Sequence, residues 1–186
     1  MSTRSVVVAP PRSLYRKIQR VIEEARKEKA ESKEDLAKLI SGRGHLDFTY
    51  LKSSPGGGAK PAACKLESIQ HVIEMCVLFN LIEDEKFRLT PRGLRAVESL
   101  TQFDRELRQA LLKQLEQIEA PMALIHETIT RLLLDQRGSI LPTWDAIYEQ
   151  LGLSPKKCTK HVFHQYLSLL SACKGIGSSR KKIYLP

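Results

Sequence analysis

No apolar run in this 186-residue chain approaches the roughly eighteen residues a membrane-spanning helix needs, which argues against an integral membrane protein. The N-terminal "RSVVVAPP" is too short an apolar stretch for a signal-peptide core. The four cysteines, Cys64, Cys76, Cys158 and Cys173, form no CxxC pair and no tight framework, so reduced thiols in an intracellular protein (cytoplasm, nucleoid or nucleus) are expected. The most telling absence is of acid. From Ser154 to Pro186 there are seven Lys/Arg and no Asp or Glu.

What is present is the composition of a soluble globular protein, 42 % hydrophobic and 27 % charged, long enough for one ordinary domain or two small ones. The net charge of +9 is unevenly placed: residues 1–29 carry +5, 30–100 balance, 101–153 carry −3 and 154–186 carry +7. Basic ends around a neutral-to-acidic middle point to a polyanionic partner. The final segment also holds Val162, Phe163, Tyr166, Leu167, Leu169 and Leu170, too apolar for a solvated tail.

Hydrophobic spacing predicts a helix from Ser13 through Ala25, and a second opened by Ser32 with Asp35 three residues on, ended by Gly42 and Gly44. "HLDFTYL" alternates as a short strand, and "KSSPGGGAKP" has the composition of a loop. A helix from Cys64 to Asn80 is apolar around most of its circumference, as for a helix buried on several sides. The segment "LIEDEKFRLT" follows, with the acids Glu83, Asp84 and Glu85 at its tip. Pro91 opens the next helix, and a polar helix with Leu107, Leu111, Leu115 and Ile118 spans about 104–119. Helices are then expected over 121–137, over 143–151 with Thr143 as cap, and over 155–172 with Ser154–Pro155 as cap and first-turn proline. "SILP" reads as a short strand, and "CKGIGSSRKKIYLP" closes the chain.

Residues 64–90 and 155–186 share one plan: a long helix, a polar tip and a short apolar strand, with at least two helices before each. This resembles the winged-helix-turn-helix superfamily, in which three helices precede a two-stranded wing. The likeness is topological, covers most of the chain as a tandem pair, and is better in the second copy. In the first, residues 41–63 replace a tight turn with a loop-rich insertion. The expected fold is therefore mainly α with small β-wings, two tandem winged-helix units joined by helices. The expected organisation is a flexible basic arm (1–12), a first unit (13–100), a connecting helix (101–120) and a second unit (121–186).

On a helix over 155–172, Lys157, Lys160, His161, His164 and Ser168 fall opposite the apolar face, with Lys156 beside them. Helix N-termini in the major groove lie nearest the base edges. Cations there oppose the helix dipole, a cost that phosphates would offset. Arg180, Lys181 and Lys182 mark the second tip and would neutralise backbone phosphates without reading sequence. Arg12, Arg16 and Arg20, spaced by four, form a second basic stripe. The first tip, with its three acids, would repel phosphates.

Enzymatic chemistry is not expected. "PGGGAK" does not meet the GxxxxGK[ST] spacing, no paired carboxylates or Ser–His–acid set stands out, and no cofactor is implied. Cys158, His161 and His164, three and six apart on one helix, do not converge on a metal. The expected function is double-stranded DNA binding through the second unit, as a transcriptional regulator or the recognition subunit of a complex. The alternatives are a tandem winged-helix scaffold that binds proteins, or a homodimer, through the first unit and the 104–119 helix, and RNA binding.

Overall fold

The computed structural model describes residues 14–27, 30–53, 59–135, 142–174, 177–179 and 182–184. It is mainly helical, and the chain divides into two compact units, Met1–Thr90 and Pro91–Pro186.

In the first unit, α1 (Leu14–Lys27) and α2 (Lys33–Gly42) both pack on α3 (Leu66–Leu78). Helix α1 turns Ile18, Val21, Ile22 and Ala25 inward, the face its sequence spacing predicts. Ser32 caps α2 by accepting from the Asp35 backbone N–H. Gly44, at φ +61°, supplies the left-handed residue that turns the chain away.

The expected strand over "HLDFTYL" begins late. Leu46–Phe48 form a 3-10 turn that buries Phe48, and β1 is Thr49–Ser53. Half of what the composition marked as loop, Lys52, Ser53 and Ala59 to Pro61, is strand instead. Ala59–Ala63 form β2, antiparallel to β1, with Thr49 opposite Ala63 and Ser53 opposite Ala59. Pro61 lies within β2: in a two-stranded ribbon half the N–H groups point away from the partner, and a proline costs no ladder bond there.

After α3 the chain forms a Schellman cap. Asn80 is left-handed at φ 54°, its N–H donates to the Val77 carbonyl, and Leu81 N–H reaches the Cys76 carbonyl at 2.8 Å. The two-stranded wing that the resemblance implies at 81–90 shrinks to a single bridge, Ile82 opposite Leu89. The cap draws Leu81 and Ile82 beneath α3, where both are buried, and Phe87 N–H closes a tight turn onto the Glu83 carbonyl at 3.1 Å. Too few extended residues remain for a ladder.

In the second unit, α4 (Pro91–Ala96) packs on α5 (Leu100–Gln117), α5 on α6 (Met122–Asp135) and on α8 (Lys160–Ala172), and α7 (Trp144–Leu151) on both α6 and α8. Ser99 caps α5, so this helix starts earlier than the sequence suggests. The division at Thr90 also places α4 with the C-terminal half, whereas the sequence boundaries put residues to 100 in the first unit. Ion pairs from α4 to Glu106 on α5 give the physical reason. Strands β3 (Gly177–Ser179) and β4 (Lys182–Tyr184) pair antiparallel after α8, with Ser179 opposite Lys182. The proposed strand "SILP" falls largely outside the described residues. No helix among them is long and apolar enough to cross a membrane.

Candidate nucleic-acid interface

Of the residues expected to contact nucleic acid, Lys156, Lys157, Lys160, His161, His164 and Ser168 lie on α8 and the turn before it, beside α7. Gly152, left-handed at φ 63°, ends α7. Helix α8 does not begin at Pro155 as expected. Residues 154–157 make a separate turn, with the N–H groups of Lys157 and Cys158 donating to the Ser154 carbonyl at 2.9 and 3.0 Å. In a continuous helix the Val162 N–H would donate to the Cys158 carbonyl. Here Thr159 Oγ1 takes the Val162 N–H at 3.3 Å, and the buried Tyr148 hydroxyl donates to the Cys158 carbonyl at 2.8 Å. Both halves of the missing bond are satisfied elsewhere, so the helix restarts at Lys160 with Thr159 as its cap. Lys156 and Lys157 consequently lie on a turn, and Lys160 alone of the three lysines is helical.

The electrostatics differ from a bare basic face. Lys160 Nζ lies 3.0 Å from Glu149 and 3.4 Å from Asp145, and 5.9 Å from the centroid of the Tyr148 ring. Its ammonium is held above the ordinary lysine range, chiefly by the hydrogen bond to Glu149 and further by Asp145. Lys157 pairs with Glu119. His164 Nε2 stands 3.2 Å from Asp145 and packs edge-on to Trp144, ring centroids 5.5 Å apart. His161 contacts Gln165, and Ser168 is half-buried. Lys156 is exposed with no ion-pair partner among the described residues. Against Lys156, Lys157 and Lys160 thus stand Glu119, Asp145 and Glu149. The described part of this surface is balanced in charge, which the acid-free run after Ser154 does not reveal, because the acids come from earlier in the chain.

Of the remaining expected contacts, Arg16 is exposed on α1, while Arg20 is paired with Glu23 at 2.7 Å and Asp47 at 3.5 Å. Both belong to the first unit, and Arg12 lies outside the described residues, as do Arg180 and Lys181. Lys182 opens β4.

No family model, curated protein or solved structure matches the chain.

The sequence reading missed two buried carboxylates. Glu24, fully buried on α1, is paired with Arg43, with Lys27 at 3.1 Å and with His45 at 3.4 Å. Glu106, 2 % exposed on α5, receives Nε and Nη2 of Arg95 at 2.9 and 3.1 Å. Arg92 and Arg105 stand 3.5 and 3.4 Å away. The signal was available: each glutamate sits on its helix beside core positions, Val21 and Ala25 in one case, Phe103 and Leu107 in the other. No cluster of three or more His, Cys, Asp or Glu among the described residues is placed to hold a metal ion. Burial pushes the Cys158 thiol up and that of Cys173 to about 12, so neither is a ready thiolate.

Proposed function

We propose that this protein binds double-stranded DNA through its C-terminal unit, acting as a winged helix. What carries the proposal is the order of elements: α7, a turn, the Thr159-capped α8, then two paired strands with Arg180-Lys181 between them in sequence. A helix with one polar side fits a major groove, and a basic hairpin beside it meets the backbone. The first unit supports the fold or meets a protein, since the acids Glu83, Asp84 and Glu85 are exposed at its turn and oppose phosphates. No enzymatic role is proposed.

The pairing on α7 and α8 shifts where the charge comes from. Exposed ion pairs are weak and screened by salt, so phosphates can displace the acids from Lys157 and Lys160, but the acids remain nearby and repel. The net attraction then rests on Lys156 and the hairpin. In a salt series with a random duplex, log affinity should fall steeply with log salt. Changing Lys156, Arg180, Lys181 and Lys182 together to Gln should weaken binding roughly ten- to a hundredfold near 0.1 M salt and flatten the slope by about three. No binding at low salt, or no change in the variant, would remove the proposal. Competition with a duplex RNA of equal length separates the two nucleic acids.

The charge balance also favours a second reading, a protein-binding scaffold, as do the exposed Leu94, Leu100 and Leu134. The α7 acids distinguish the two. With Asp145→Asn and Glu149→Gln, Lys160 is freed and two repelling charges vanish. DNA contact by this face predicts duplex binding tighter by about three- to tenfold, roughly one to two added phosphate contacts' worth at moderate salt. Unchanged affinity would place the face against something other than DNA.

A further inference from the structure

At the corner where α4 meets α5, three guanidinium groups surround one buried carboxylate. Glu106 offers about four lone-pair positions, while each arginine carries five N–H donors in a fixed fork. Arg95 spends its Nε and Nη2 on the carboxylate, and Arg105 reaches it with Nη2 alone at 3.4 Å. Nη1 of both residues has no hydrogen-bond partner among the described residues, and their side chains are 47 % and 54 % exposed. Glu98 also acts on Arg95.

We infer that Arg95 and Arg105, held in place by Glu106, form a second phosphate contact for duplex DNA on the C-terminal unit. The inference rests on that unit binding DNA at all. A buried carboxylate that accepts one edge of a guanidinium orients the other edge toward solvent, so the ordering cost of an arginine is met during folding rather than at binding. A planar fork with its outer edge open suits a phosphate better than a point-charge lysine does. Such a contact positions the duplex and carries no sequence information. Arg92, the least exposed of the three, braces the cluster from its inner side.

Arg105 is the residue to change, because its hold on Glu106 is the longest hydrogen bond of the set and its side chain the most exposed. Arg105→Gln should leave the thermal midpoint within a degree or two. It should weaken binding of a random 20-base-pair duplex about two- to fivefold near 0.1 M salt and lower the log–log salt slope by about one. Arg105→Lys should retain the slope and most of the affinity. If Arg105→Gln binds like wild type while Arg180→Gln/Lys181→Gln weakens binding, the corner is not a DNA contact and the hairpin still is. If wild type binds no duplex, both fall. If polyglutamate of matched charge displaces the duplex from wild type but not from Arg105→Gln, the corner is a site for acidic protein segments and the DNA assignment is overturned.

Discussion

Arg95→Ala should lower the melting midpoint of the C-terminal unit clearly more than Glu106→Gln does, because the two partners are unequally able to reach water. Glu106 is 2 % exposed, whereas the Arg95 side chain is nearly half exposed. Deleting the arginine leaves a carboxylate that has lost its two-pronged partner and cannot be solvated. Neutralising the carboxylate leaves arginines that water can take over. The double substitution should cost less than Arg95→Ala alone, since neutralising Glu106 removes the stranded charge.

Acid sharpens this test. Hydrogen bonds from Arg95, and then Arg105, hold the Glu106 carboxyl below the ordinary glutamate range. The folded state therefore binds its proton later than the unfolded chain, and stability from this group is fully present above about pH 4.3 and is lost as pH falls through the lower folded value. Without Arg95 the folded carboxyl takes its proton at a higher pH. Acidification then relieves the variant before it harms the wild type, so the gap seen at pH 7 should narrow on going to pH 4. Urea titrations at the two pH values measure it. A gap that widens, or a Glu106→Gln cost above that of Arg95→Ala, would refute the account.

Phe163→Ala should be the most damaging single change on the candidate interface, at about 3–5 kcal/mol. The ring is fully buried on α8 and packs at 5.7 Å from Tyr148 on α7, whose hydroxyl also holds the Cys158 carbonyl. Losing it removes the wedge that sets the spacing of the two helices. At roughly 4–8 °C per kcal/mol for a unit of this size, the melting transition of the C-terminal half should drop by at least about 12 °C. Duplex binding should be lost with it, while Phe163→Leu should cost about 1.5 kcal/mol or less and retain binding. A Phe163→Ala protein that melts like wild type would mean the α7–α8 pair is held by other contacts.

Much of the helical architecture was legible because it depends on neighbours in sequence. The apolar spacing of α1, the Ser32 and Thr143 caps and the left-handed Gly152 are decided within a turn or two of chain. The start of α8 was not, since it depends on a hydroxyl ten residues away: Tyr148 takes the carbonyl that a longer helix would need. The hairpin of β1 and β2 escaped because its evidence is a partner strand, not a composition, and the wing implied at 81–90 failed because burial of Leu81 and Ile82 outweighed pairing.

The same division runs through the candidate site. Local sequence alone settled which residues are basic, which helices are amphipathic and that the last acid in the chain is Glu149. Only tertiary structure decided whether those bases face solvent or an acid. Charge in one segment is summed along the chain, but a Coulomb interaction falls with distance through space. Folding brings Asp145, Glu149 and Glu119 to the lysines of a segment that contains no acid, and sets three arginines around Glu106.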